Sequence, residues 1–177
     1  MPDSGPEAAG ENTERLKSRL WRYGPVICWM VAIFFASTDE FSSAKTASIL
    51  EPFLRWCFPH ISRAHVELCH LLVRKAGHLS EYAILGLLLA RAFSASGHLF
   101  LRRRWFAVSL SLITVYALSD EYHQSFVPSR TASIYDSLID IAGGLMALGL
   151  IALWRTKGQR RRKGMATADP TLSRIKS

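Results

Sequence analysis

An all-α bundle of four transmembrane spans, with short interfacial helices in the first outer loop, is the fold this sequence predicts. Three observations carry the prediction. The middle of the 177-residue chain holds four long apolar blocks, while residues 1–19 and 155–177 are polar and hold 16 of the 36 charged residues. Each block is apolar on all sides over most of its length, whereas a surface helix of a soluble domain shows one apolar stripe. Lys and Arg are shared unevenly between the alternate connections of the four blocks.

The first block runs from about Leu20 to Ser37, the second from about Ala76 to Phe93, the third from about Trp105 to Leu118 and the fourth from about Ile134 to Trp154. Spanning a hydrocarbon core takes about 20 helical residues. The strictly uncharged stretches are shorter: 16 residues at Tyr23–Thr38, 15 at Trp105–Ser119 and 14 at Ile141–Trp154. Blocks two, three and four reach spanning length only by taking in polar residues at one end. A soluble bundle of buried helices is the plainer alternative, but four such helices would leave so small a chain too little polar surface.

Sixteen of the 22 Lys and Arg residues fall in the N-terminal tail, the connection between blocks two and three, and the C-terminal tail. Six fall in the connections after blocks one and three. By the positive-inside rule both termini are cytoplasmic and the first and third loops lie outside. Trp21, Trp105 and Trp154 then mark the cytoplasmic boundary. The division expected is a disordered tail over 1–19, most clearly 1–14, a membrane domain over 20–154 and a basic cytoplasmic tail over 155–177. The first loop, 38–74, carries apolar residues at near-helical spacing and reads as two short interfacial helices divided at Pro59.

The formal net charge of +8 admits nucleic acid or an anionic membrane as partner. The basic residues flank apolar segments and do not interleave with aromatics, so nucleic acid is not expected and membrane lipids are. The N-terminus has acidic residues and Pro, Gly and Ser ahead of the first apolar stretch, unlike a secretory signal. Cys28 reads as a small packed hydrophobe. Cys57 and Cys69 share one loop, where pairing stays open, and the spacing matches no zinc pattern.

The polar residues that complete blocks two, three and four all fall at the outer end. They are Arg74, Lys75, His78, Glu81 and Tyr82; then Tyr116, Asp120, Glu121, His123 and Gln124; then Asp136 and Asp140, with Arg130 in the short connection. Spacings of three, four and seven place each set on one helical face. Ionisable residues within spans face a bundle interior and pair there, so a shared polar pocket in the outer leaflet is expected. Gly143 and Gly144 would let helices approach closely.

Blander roles stand beside these. His78 and Glu81 can be a packed pair, Asp136 a capping-box residue after Ser133, Asp120 and Glu121 the end of a span, and Arg130 a lipid-phosphate contact. His78, Glu81, Asp120, Glu121 and His123 offer metal-ligand chemistry without a recognised spacing, and no metal or cofactor is expected. No nucleophile–base pair is evident. Acid–base chemistry by a His and a carboxylate is the catalysis these residues would support, and whether a reaction occurs stays open.

The stretches RKAGHLSEYAILG and ALSDEYHQSFVPSRTASIYDSLIDIAGGLMALG resemble the VanZ-like family of small bacterial membrane proteins, known for a member associated with teicoplanin resistance. The match lies at Lys75, His78, Tyr82, Asp120, Glu121, Gln124, Arg130, Asp136 and Gly144, over about residues 20–154. Ser129 stands where Gly often precedes the Arg, and Asp140 where Asn is common. The resemblance implies an inner-membrane protein of the cell envelope. The expected function is binding or processing of an anionic envelope ligand, a lipid phosphate or cell-wall precursor, with Lys75 and Arg130 holding the anion. The alternative is a structural partner of another envelope protein, its polar residues only locking the bundle.

Overall fold

The computed structural model describes residues 6–38, 43–126 and 133–168. Among these residues the chain is all-α, with six helices: α1 (Pro6–Ala36), α2 (Ser43–Cys57), α3 (Arg63–Ser94), α4 (Leu99–Arg103), α5 (Trp105–Gln124) and α6 (Ile134–Ala168).

The helix ends differ from expectation in three places. The tail expected to be disordered is helical from Pro6 onward. Pro is well suited to a first helical position, and Glu11–Arg15 at 2.5 Å and Glu14–Lys17 at 2.9 Å add side-chain pairs along the exposed face. At the other end α6 carries the basic stretch in helical form to Ala168, since Arg, Lys, Gln and Ala are good helix formers. In the first loop α2 is a separate short helix, but the second expected interfacial helix is not. Residues 63–73 are the first turns of the 32-residue α3. Ser62 caps that helix by accepting from the His65 backbone N–H, and no proline interrupts it before Ser94. The break at Pro59 is where it was expected, between Cys57 and Arg63. The short α4 was not foreseen.

Contacts at the helix ends give the topology. Trp29 Nε1 donates to the Glu81 carbonyl at 2.9 Å, and Tyr23 pairs with Ser96 at 3.0 Å, so α1 and α3 are antiparallel. Tyr116 donates to the Met30 carbonyl at 2.5 Å and Gln124 to Ser37 at 3.2 Å, so α5 runs with α1. Arg74 meets Asp136 and Ser94 meets Arg155, so α6 runs with α3. The four long helices therefore go up, down, up, down. The core between them includes Ile33, Tyr82, Leu85, Leu89, Ile113, Ala117 and Leu148.

Pro25 lies inside α1 and has no N–H to give the Trp21 carbonyl one turn back. Arg91 of α3 reaches that carbonyl instead, at 3.4 Å, with its guanidinium over the Trp21 ring. At the same end Arg155 stacks over Trp105, 4.6 Å from the ring centroid. This end gathers Trp21, Trp105 and the basic residues that the charge pattern placed together.

The outer surface is apolar. Ile27, Val31 and Phe35 of α1, Leu87 of α3, Val115 and Leu118 of α5, and Met146, Leu150 and Leu153 of α6 are all exposed. So large an uncovered apolar surface is foreign to a soluble monomer. Among the described residues one segment, Ile134–Arg160, is long and apolar enough by itself to cross a membrane, with a mean hydropathy of 1.9 and 33% of its window buried. The 20 residues of α5 include Asp120, Glu121, His123 and Gln124, which lower its mean hydropathy.

Because α1 and α5 are bridged largely by side chains, Tyr116→Phe is expected to lower stability by about 0.5–1.5 kcal/mol. Thermal unfolding in detergent measures this. No change would mean that the Met30 carbonyl bond contributes nothing to holding α1.

Candidate functional site

The site begins with two glycines. A Cβ on Gly143 would stand 2.2 Å from the Leu79 carbonyl oxygen, and one on Gly144 would stand 2.8 Å from Ile113. Their absence lets the α6 backbone lie against α3 at Gly143 and against Ile113 of α5 at Gly144. Gly86 serves the same approach from α3, where a Cβ would come within 3.0 Å of the Gly144 carbonyl. This contact fixes the register in which the polar residues of the two helices meet.

One turn from the glycines, His78 Nδ1 lies 3.1 Å from Asp140 Oδ1, with both side chains almost fully buried. A turn further toward the end, Asp136 receives Arg74 Nη2 at 2.9 Å and also Lys75 Nζ. The Asp136 side chain is 2% exposed, and the two cations are 29% and 30% exposed. The carboxylate is thus interior and its partners form a rim.

Among the described residues, the capping box that stood as an alternative role for Asp136 does not form. Ser133 Oγ accepts from the Tyr135 N–H at 3.3 Å, and the Ser133 N–H goes to the Glu121 carboxylate of α5. In a capping box the acidic residue three positions on would take that N–H. Glu121 takes it, which leaves Asp136 to face α3. The hydrogen bond of His78 goes to Asp140, with Glu81 within electrostatic range of the same ring. Glu81 is half-buried, and its main-chain carbonyl holds Trp29.

From α5, Gln124 Nε2 donates to Asp120 Oδ2 at 3.1 Å and to Ser37 Oγ at 3.2 Å, with all three residues buried. Tyr82 of α3 is 0% exposed and lies within electrostatic range of Asp120, Asp140 and Glu81. His123 stacks on Phe34, with ring centroids 4.4 Å apart. The structure thus gathers His78, Tyr82, Asp120, Glu121, Gln124, Asp136 and Asp140 at one end of the bundle, with Lys75 at the edge. Arg130 and Ser129 lie outside the described residues.

Two participants carry less signal in the sequence. Arg74 stands on the polar face of block two, but its i, i+1 relation to Lys75 hides that both reach one carboxylate. Ser37 is a lone hydroxyl at the end of an apolar block, and nothing local distinguishes it from a turn residue.

Several buried polar atoms have no hydrogen-bond partner among the described residues. They include Tyr82 OH, Asp120 Oδ1, Glu121 Oε2, Gln124 Oε1, Asp140 Oδ2 and Arg74 Nε. Most buried polar atoms in proteins are satisfied, so this concentration sets the site apart from ordinary interhelical packing. Among the described residues no three His, Cys, Asp or Glu side chains group closely enough to hold a metal ion. Cys28, Cys57 and Cys69 are all free. An apolar groove of about 390 Å³ runs between α1 and α5, lined by Ile27, Met30, Val31, Phe34 and Tyr116.

Fold and site together define an all-helical bundle with an apolar exterior and a polar cluster enclosed at one end. The chain belongs to the VanZ/LLP1 family, whose model matches residues 23–155. That span contains every residue of the site. No curated protein and no solved structure matches the chain significantly.

Proposed function

We propose that this protein is a four-span protein of the bacterial inner membrane, with both termini cytoplasmic and the polar site facing outward. There it binds or processes an anionic envelope ligand, a lipid phosphate or the head group of a cell-wall precursor. The carrying observation is the rim. Arg74 and Lys75 converge on one buried carboxylate while each stays about 30% exposed and keeps N–H donors beyond those given to Asp136. A guanidinium and an ammonium side by side suit the oxygens of a phosphate. Arg130, in the short connection before α6, would be the third cation. His78, paired with Asp140, is the group placed to hold or move a proton. A change in display of the bound precursor would alter susceptibility to glycopeptides.

Several features support the membrane part of this reading: the exposed apolar residues on α1, α3, α5 and α6, the up-down-up-down course, and the basic residues gathered at one end. A second reading is favoured by the same ion pairs. Asp136 and Asp140 cross-link α3 to α6, and a protein whose polar residues only lock the bundle would act through another envelope protein.

Native mass spectrometry separates the two. The protein is released from detergent beside a His78→Ala/Arg130→Ala variant purified at equal yield. A phosphate-bearing lipid or precursor retained by the parent and lost by the variant is expected. No bound species on either, with the variant less stable to heat, would favour the structural reading.

A further inference from the structure

Helix α1 uses one face for α3 and turns another to α5. Tyr23 and Trp29 bind α3 through Ser96 and the Glu81 carbonyl, and Val26 and Ile33 enter the core. Ile27, Met30, Val31 and Phe34, at spacings of three, four and seven, share the other face. There side chains hold the two helices apart as well as together. Tyr116 reaches the Met30 carbonyl, His123 stacks on Phe34, and Gln124 reaches Ser37. Beside these props runs the groove of about 390 Å³, within the range of about 300–1,000 Å³ that ligand pockets occupy.

The lining decides what the groove can take. Its four α1 side chains are aliphatic, thioether or aromatic, and the one hydroxyl, on Tyr116, is already given to the Met30 carbonyl at 2.5 Å. A held water needs two to four polar partners, which these side chains do not supply. A charged or polar head group would lose its hydration there without compensation. Ile27, Val31 and Phe34 are exposed and continue into the apolar outer surface with Phe35, so the groove opens where a membrane places hydrocarbon. A flexible chain lying in it meets protein on both walls, and the dispersion gained rises with the number of such contacts. Ile27 lies ten residues before Ser37, about 15 Å along the helix. That is half of a hydrocarbon core of about 30 Å, and it is the half next to the polar end of the bundle.

We infer that the α1–α5 groove is a binding site for one hydrocarbon tail of a membrane lipid, taken from the half of the membrane that borders the polar site. The inference rests on the membrane-spanning reading of the proposed function and makes no use of the Arg74–Lys75 rim. The groove reads the tail and is indifferent to the charge of the head group. A lipid held in this way is distinct from one that merely surrounds the bundle, because filling the groove removes it and filling another exposed apolar position does not.

The test uses the full chain in nanodiscs that contain equal mole fractions of phosphatidylglycerol and phosphatidylcholine with identical tails. Native mass spectrometry after release reads which lipids stay bound. One lipid per chain is expected, with the two head groups retained within twofold of each other. Val31→Trp, which sets an indole into the groove from its open wall, is expected to lower retention at least fivefold. Ile27→Trp fills the other end and is expected to do the same, so the test stands if either variant is made poorly. Leu150→Trp, at an exposed position of α6, and Lys75→Gln are expected to retain lipid as the parent does. Retention that survives both groove variants, or that falls equally in Leu150→Trp, would overturn the inference. Phosphatidylglycerol retained alone and lost only in Lys75→Gln would place the lipid at the rim and overturn the groove while the rim stands. A dimer that Val31→Trp dissociates would make a second copy of the chain the occupant and overturn the lipid tail. Incorporation into nanodiscs without any retained lipid would overturn the groove alone, whereas failure to incorporate would overturn the membrane reading with it.

Discussion

Removing Arg74 and Lys75 together is expected to cost more stability than removing the carboxylate they share. Asp136 is interior and its two partners are partly in water. Arg74→Ala/Lys75→Ala leaves a buried carboxylate with no counter-charge, a change that typically costs about 3–5 kcal/mol. Asp136→Asn leaves two cations that can turn to solvent, and the amide oxygen still accepts one bond. Its cost is expected at about 1–3 kcal/mol. Each single cation variant should fall below the double, because the other cation still serves Asp136. Thermal unfolding of all four variants in one detergent orders them. A double variant no less stable than Asp136→Asn would mean that the carboxylate reaches water, and that the rim and interior are not distinct.

Gly143→Ala is expected to weaken the bundle and to open the site. The added Cβ would stand 2.2 Å from a main-chain oxygen, that of Leu79, which cannot rotate away. The helices must separate instead, and overpacking of this kind costs about 1–3 kcal/mol, with the upper end expected here. Leu79 follows His78, so the same movement lengthens the 3.1 Å contact between His78 and Asp140. Gly144→Ala meets the end of the Ile113 side chain and should cost less. Gly149→Ala meets nothing within 4 Å and is expected to be neutral or slightly stabilising, since alanine is the better helix former. Unfolding temperatures in the order Gly149→Ala, Gly144→Ala, Gly143→Ala, highest first, check the argument. The reverse order would remove the glycine contact as the device that sets the register of the site.

The helical blocks were legible because their apolar composition does not depend on neighbours. Their ends were not. Residues 6–14 look polar and featureless in composition, yet Glu–Arg and Glu–Lys spacings of four and three support a helix there. The junction at residues 63–74 misled for a related reason. Its apolar residues read as an interfacial helix, and only the lack of a breaker before Ser94 makes it continuous with the rest of α3. At the site, residue identities and faces could be read from spacings of three, four and seven. The pairings could not. Whether Asp136 caps α6 or meets Arg74 depends on Glu121, fifteen residues earlier, taking the Ser133 N–H. Whether His78 meets Glu81 or Asp140 depends on how closely Gly143 brings α6 to α3. Both are decided by tertiary contacts that no local pattern records.

The polar end of the bundle is expected to face outward on a chain that crosses the membrane four times. Cys57 is free and exposed, which supplies a native reporter in the first loop. The measurement is labelling of intact cells with a membrane-impermeant maleimide, in a Cys28→Ala/Cys69→Ala background that keeps Cys57. It is repeated with Cys57→Ala combined in turn with Ser125→Cys and Thr156→Cys, both at exposed positions. Cys57 and the cysteine at 125 are expected to label in intact cells, and the cysteine at 156 only after permeabilisation. Labelling of the positions 125 and 156 from the same side would mean that α6 does not cross between them. Protection of both Cys57 and position 125 would turn the site toward the cytoplasm. Either result would contradict an outward-facing site for an envelope ligand.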